Sequence, residues 1–433
     1  MKKLIFILCA ILFFSGCAGK RSGKEEKRNE KTTIFWEPGP ILYKNALVSN
    51  FYKDTSSGKI IIEESVKNEK TRSSMFLFSD QANEGADIFA IKCPEELAAY
   101  AKNREICNLA IYLRRNRIDL NDFWPAFRSV MQCNGKTYAL PVMSSPYVLF
   151  YNKKVFDDAK IPYPNDKWVW NDMLQAAIKL TKKSKAGNFL RIGFFSQDPD
   201  IFIWQNGGWF FTQDGKQCTL DSQFAKQGFR WYCNLDLKYR VMPDFKELKG
   251  ILDSYGCVDA ADLFAKNRIA MFIGNKDDAL RFLDNKNIVF GVSPVPRGRY
   301  KVTKLKAIVY AVSEKSLNKD EAFKFLKYLS GPAQYSIARY GCTVPARRSM
   351  ANNDKYLLGS ESKKCIDLKI YSNEMAYARL AENSPYISER DFNKIWKEET
   401  VLCFRGEKTP DECLDSITKR VNRLIVTKIK NKN

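Results

Sequence analysis

Asp198 and Asp200 flank Pro199, and a close pair of carboxylates is what a glycoside hydrolase uses, one as acid and one as nucleophile or base. Little else in the chain is equipped for catalysis. Histidine is absent from all 433 residues, which removes His-based triads, imidazole general bases and histidine-containing metal sites in one step. Twelve cysteines occur without any Cys-x-x-Cys pair, so a sulfur-only zinc centre has no motif to build on. No metal or other cofactor is expected. Acidic loop residues are more often solvated or capping, and with no nucleophile motif the chain reads as a binder rather than an enzyme. Arg347-Arg348, after the Val344-Pro345 turn, has the charge to hold a carboxylate or sulfate. Ser144-Ser145 offers two small hydroxyls in a break between apolar runs.

The elements that must position such groups can be read from the pattern. From Asn134 to Trp170 the order is a tight turn at Asn134-Gly135, a short strand stopped by Pro141, the polar pair, a β-rich run from Tyr147 to Tyr151, then a helix. A chain that pauses between two strands on small hydroxyl residues reads as a hinge between lobes. Thr32 to Trp36 predicts a strand ending in the breaker loop Glu37-Pro38-Gly39-Pro40. Ala46 to Lys53 reads as helical, and Lys59 to Glu63 and Asp87 to Ala90 as further strands. Alternation of this kind implies an α/β sheet of parallel strands, whose ligand edge is their carboxyl end. Later helices open at Asn171, Asp221-Ser222, Asn318 with Glu321, and Thr409-Pro410 with Glu412.

The ends and the composition set the compartment. Lys2 and Lys3 precede the apolar run Leu4 to Phe14, too short to span a bilayer, and Ser15-Gly16-Cys17 closes it. This predicts a signal peptide over 1–16, lipidation of Cys17, and a charged tether over 17–31. Beyond it, a chain of this length is expected to form two lobes. The net charge of +22 could favour nucleic acid, anionic lipid or an acidic ligand; with no nucleic-acid-binding motif, a basic surface beside anionic lipid is the better reading, and an anionic sugar stays open. Ten cysteines would remain in an oxidising compartment. Sequence-near candidates for bridges are Cys93 with Cys107, Cys218 with Cys233 and Cys403 with Cys413, although Cys413 also fits a helical core position.

In order and spacing, the Asn134–Trp170 stretch resembles the hinge-crossing segment of extracellular solute-binding proteins of the sugar type (maltose-binding and glycerol-phosphate-binding-like), the receptors of ABC importers. Gly85-Ala86-Asp87-Ile88-Phe89 resembles that family's Gly-x-Pro-Asp-Val strand, with Ala86 replacing Pro. Phe202 to Gly208 is similar to its second-lobe ligand loop, and Phe264 to Met271 to its segment before the second crossing, with Asn267 where Gly is usual. Gly341 to Ala346 resembles its later Gly-x-x-x-Pro-Ala turn.

The resemblance implies an α/β two-lobe type II periplasmic-binding fold with an interlobe cleft. On that pattern 32–143 and 275–312 form the N-lobe, 147–271 and 315–433 the C-lobe, with crossings near 143–146, 272–276 and 312–316. Around the cleft it places the rings of Trp36, Tyr147, Trp204, Trp209 and Phe392 and the polar groups of Glu37, Ser144, Ser145, Asn206, Asn275 and Arg347. Flat rings cover the apolar faces of sugars, and planar polar groups bind their hydroxyls. Gly274-Asn275-Lys276 lacks the aromatic usual after that glycine, and Ala90-Ile91-Lys92 also offers no ring, so fewer stacked rings and more charge are expected. The implied protein is a monomeric exported lipoprotein, facing the periplasm or cell exterior, that hands a carbohydrate to ABC permease subunits. A ligand-binding lipoprotein serving a sensor or adhesion partner is the alternative, a two-carboxylate glycosidase the lesser one.

Overall fold

The computed structural model describes residues 31–35, 47–51, 59–63, 87–91, 93–285, 287–341, 343–357 and 367–430. The proposed signal peptide and lipid site at Cys17, together with Trp36 and Glu37, lie outside the described residues. In chain order the strands are β1 (Lys31–Phe35), β2 (Lys59–Glu63), β3 (Ile88–Ile91), β4 (Gln132–Cys133), β5 (Lys136–Thr137), β6 (Ala139–Pro146), β7 (Val148–Asn152), β8 (Lys182–Lys183), β9 (Phe189–Phe195), β10 (Ile269–Gly274), β11 (Phe290–Ser293), β12 (Thr303–Val312) and β13 (Ala378–Arg379). The helices that matter for the site are α1 (Pro94–Lys102), α2 (Trp170–Leu180), α3 (Pro199–Gln205), α4 (Gln223–Leu237), α5 (Lys276–Asp284), α6 (Lys319–Leu329), α7 (Glu389–Phe404) and α8 (Pro410–Lys430).

Two large sheets divide the described residues, beside the small β4-β5 hairpin. One runs β13-β12-β3-β1-β2, with β6 also paired to β12; the other runs β11-β7-β10-β9-β8. β1 is parallel to β2 and β3, and β9 is parallel to β10. β10 is buried along its whole length, Ile-Ala-Met-Phe-Ile-Gly, as expected of a central strand covered on both faces. Around it Phe150, Phe264, Phe272, Phe282 and Phe290 pack ring to ring, with Phe264 and Phe282 centroids 4.7 Å apart. Helices α3 and α4 cross so closely that a Cβ on Gly228 would sit 2.5 Å from the Phe202 carbonyl oxygen. That position has room for glycine and nothing larger.

The chain passes from the first sheet to the second between Pro146 and Val148. Against expectation, Pro141 does not stop the strand and Ser144-Ser145 is no break, because β6 runs unbroken through both and pairs with β12. The other two crossings fall elsewhere than expected. Strand β10 leads into α5 and then β11, which pairs with β7 in the same sheet, so 272–276 is a turn within the second lobe. The return lies between Ser293 and Thr303, where β11 ends and β12 begins. Residues 312–316 also stay in one lobe: the Ser313 amide donates to the Asp87 carbonyl, and α6 packs back on the first sheet's side, with Phe325 edge-on to Phe51 at 4.9 Å. The chain leaves again only after β13, and α7 and α8 then pack on α4 of the second lobe, where Arg230 pairs with Asp411 and Lys226 with Asp415. The segment expected as one C-lobe piece, 315–433, is therefore shared between lobes. A long apolar strand followed by a capped helix reads the same whether or not the chain changes sheets.

Caps follow local chemistry. Ser222 accepts from the Ala225 amide, and Thr409 and Glu412 form the expected reciprocal box. Helix α2 starts earlier than Asn171 predicts, at Trp170, with the Asp172 carboxylate accepting from the Val169 amide. Trp170 is held in place by stacking on Trp231 at 4.5 Å.

Candidate functional site

The carboxyl ends of parallel strands, where open α/β sheets take ligands, lead here into one place. After β9 come Asp198 and Asp200, and Pro199 between them opens α3. After β10 comes Asn275, the cap of α5, and after β3 comes α1 with Glu95 in its first turn. The ribbon of crossing strands supplies the floor. Lys306 is the cross-strand partner of Ser145, and Lys304 that of Arg379. Cross-strand partners and i, i+2 neighbours share a face, so Ser145, Lys306, Lys304 and Arg379 all point one way.

They point at the second lobe. The Lys304 ammonium sits 2.7 Å from Asp198 Oδ1 and 2.8 Å from Asp200 Oδ2, and 5.7 Å from the centre of the Tyr147 ring. Lys306 reaches Asp277 at 2.7 Å, and Ser145 Oγ accepts from the Lys276 amide at 3.0 Å. The Arg379 guanidinium lies 4.3 Å over Trp209, whose ring is about half exposed, at 49%. Both lobes therefore contribute to a charged floor edged by an accessible aromatic face.

Electrostatics sharpen the picture. Burial pushes the Asp198 carboxyl up to about 6; Lys304 opposes this, but Asp200 shares the same ammonium and adds to the rise. Burial alone would lower the Lys304 ammonium, but Asp200, Asp198 and Tyr147 together raise it above its ordinary range. Burial, then the Asp198 charge, raises the Tyr147 hydroxyl, while an Asn275 hydrogen bond opposes them. Glu389, at the start of α7, is raised by burial and by Glu95, and also feels Lys304. The two glutamates come from opposite lobes. Two carboxylates thus hold the Lys304 ammonium, and Glu389, itself felt by Glu95 and Lys304, adds negative charge to the same region. Such groups accept hydrogen bonds from hydroxyls and disfavour anions.

A cavity of about 580 Å³ also lies between the lobes, walled by Trp124, Asn165, Ser293, Lys301 and Tyr377 among others. Strand β7 stands between β11, which ends at Ser293, and β10 and β9, which lead to Asn275 and Asp198. This cavity is therefore across the first crossing from the charged floor, although β11 ends at the same edge of the sheet as β10. The floor, where the ends of β3, β9 and β10 converge and both lobes supply charged groups, is the candidate ligand site.

Of the residues expected around a cleft, the structure brings Ser145, Tyr147, Asn275 and Trp209 to this region. Their parts differ from expectation: Ser145 clips the lobes together, and Asn275 caps α5, accepting from the Asp277 amide. Ser144 points to the other face and donates to the Val344 carbonyl. Trp204 is 1% exposed and packs on Phe210, so it is core. Asn206 donates to the Phe224 carbonyl at the end of α3. Phe392 joins Phe210, Phe211 and Trp396 in a ring cluster. Arg347 donates to the Ser330 carbonyl and lies 4.8 Å over Phe123, a clamp inside the first lobe, where burial lowers its pKa.

Lys304, Arg379, Glu95 and Glu389 were not legible as site residues. The Asp-Pro-Asp helix opening was the available signal for Asp198 and Asp200, and their proximity serves a lysine. Among the described residues no group of three or more His, Cys, Asp or Glu side chains is placed to hold a metal, and no helix is long and apolar enough to cross a membrane.

Known proteins share this fold. Residues 79–336 match the description "bacterial extracellular solute-binding protein". A Brucella abortus binding protein is 29% identical over 227 residues, 48% of this chain and 50% of its own, so the match spans about half the length of that relative. The galactooligosaccharide-binding protein of Bacillus subtilis is 25% identical over 297 residues, 65% of this chain and 64% of its own. An ABC substrate-binding protein of Listeria monocytogenes, solved with cycloalternan, superposes with a TM-score of 0.72 at 20% identity, over 91% of this chain and 98% of its own. A maltose-bound protein of T. maritima gives 0.67 at 16% identity, over 91% and 99%.

Proposed function

The chain belongs to the bacterial extracellular solute-binding proteins, and from that premise we propose that it receives a neutral oligosaccharide between its lobes and delivers it to an ABC permease, held at the membrane through a lipid on Cys17. It is a binding protein of the sugar-importer kind, not an enzyme. The observation carrying the choice of sugar is the Asp198 and Asp200 pair on Lys304, with the charges of Glu389 and Glu95 felt in the same region and the half-exposed Trp209 at its edge. Carboxylates accept from pairs of sugar hydroxyls, and a half-exposed indole covers an apolar ring face. The same carboxylates disfavour the anionic ligand that the chain's net charge of +22 leaves open. The relatives that bind a galactooligosaccharide and cycloalternan support a neutral sugar.

A ligand bound on this floor would hold the two lobes together across it. It shifts the equilibrium between open and closed forms only by binding the closed form better. A thermal-shift screen over neutral, uronic-acid and sulfated oligosaccharides tests the reading. Stabilisation by a neutral sugar, weakened in Glu389→Gln and Trp209→Ala, is expected; tighter binding of an acidic sugar would overturn it. Fatty-acid labelling that persists in Cys17→Ser would remove the lipid anchor from the proposal.

A further inference from the structure

Cys233 of α4, Cys403 at the end of α7 and Cys413 in the first turn of α8 meet where the C-terminal helical hairpin docks on the second lobe. All three are fully buried. The Sγ atoms of Cys233 and Cys403 are 3.9 Å apart, and the Cys413 thiol also interacts with Cys403. Elsewhere Cys107 donates to the Ser313 carbonyl, and Cys218 lies by Thr418 at 4.0 Å. The sequence-near pair Cys218 with Cys233 is thus separated, and Cys233 finds a partner 170 positions away.

We propose that Cys233 and Cys403 form a disulfide in the exported protein, leaving Cys413 as a free thiol. The inference rests on the export reading for its oxidant. Both thiols lose their protons, and the two electrons pass to the disulfide of an exported thiol–disulfide oxidase, which leaves as a dithiol. The buried position requires the bond to form before the hairpin packs down. Its effect is specific to this pairing. A Cys403–Cys413 bond would close only the short turn between α7 and α8. A Cys233–Cys403 bond encloses the whole excursion through β12, α6 and β13, and staples the returning hairpin to α4. That fixes α7, whose first residue, Glu389, faces the cleft.

The full chain, exported and purified without reductant, is denatured in N-ethylmaleimide, digested with trypsin and mapped by mass spectrometry. Arg405 and Lys408 lie between Cys403 and Cys413, so the two reside on different peptides. The expected result is one linked pair carrying Cys233 and Cys403, with Cys413 alkylated, and the same link in Cys413→Ala. A phosphine reductant should lower the melting temperature of the wild type by about 5 °C or more and leave a Cys233→Ala/Cys403→Ala variant unchanged. Alkylation of both Cys233 and Cys403, or a Cys403–Cys413 link, overturns the proposal. Reduced protein refolded in oxidised glutathione separates the causes. If the bond forms there but not in the cell, the proposal falls with the export reading; if it forms in neither, the thiol pairing falls alone.

Discussion

Replacing Lys304 with methionine keeps most of the apolar stem and removes the ammonium from between Asp198 and Asp200. At 2.7 and 2.8 Å, each attraction is about 6 kcal/mol at an effective dielectric near 20, before desolvation is subtracted. The net loss is set by what the stranded carboxylates do next. In the wild type the Asp198 carboxyl is held at about 6 by burial and by Asp200, above its value in an unfolded chain. The folded protein therefore binds that proton more tightly, which favours folding at acid pH and is lost as pH rises from about 4 through 6. Without Lys304 the carboxyl stays protonated to higher pH. Holding it neutral up to pH 8, two units beyond 6, adds about 2.7 kcal/mol at 1.36 kcal/mol per unit. At pH 5 the Asp198 carboxyl is already largely protonated in both proteins, so its added cost is near zero and what remains is the loss of the Asp200 pair. Urea unfolding should show Lys304→Met destabilised by about 3 kcal/mol more at pH 8 than at pH 5, on top of the loss of the Asp200 pair at both. The Lys304→Met/Asp198→Asn double variant should lose most of that pH dependence. Asp236, also raised to about 6 by burial, is common to all these proteins and cancels. Equal destabilisation at both pH values, or a pH dependence that survives in the double variant, would refute the reasoning.

Trp204→Ala should lower stability by about 3–5 kcal/mol, as for a fully buried ring, without selective loss of sugar affinity in the folded fraction; calorimetric titration beside a melt distinguishes the two. Ser145→Ala leaves the Lys276 amide without its acceptor in the closed form, at about 1–3 kcal/mol, so scattering should show a more open average shape and titration up to about a hundredfold weaker binding. Gly228→Ala forces a Cβ to within 2.5 Å of the Phe202 carbonyl and should destabilise the second lobe by about 1–3 kcal/mol, read by urea unfolding.

The amino-acid sequence by itself determined the elements and the class of fold. Local chemistry is enough to start α4 at Ser222 and α8 at Thr409, and β-branched runs such as Ile60-Ile61-Ile62 make β2 a strand wherever it is placed. The motif order indicated two lobes, and the polar pair Ser144-Ser145 lay within three residues of the first crossing, although the pair itself is part of strand β6 and not a break. Which sheet each strand joins was decided by the tertiary structure. Strands β10, β11 and β12 carry similar apolar patterns, and only pairing with β7 or β6 distinguishes a turn from a crossing. The same applies to the site. Trp204 and Trp209 lie five positions apart with equal aromatic character, yet one is core and the other half exposed, because the loop after α3 carries Trp209 out of the packed interior. Lys304, Arg379 and Glu389 belong to segments distant in sequence from Asp198. Their charges meet only because β13 pairs with β12 at the crossing and α7 begins just beyond it, a long-range contact that no local pattern encodes.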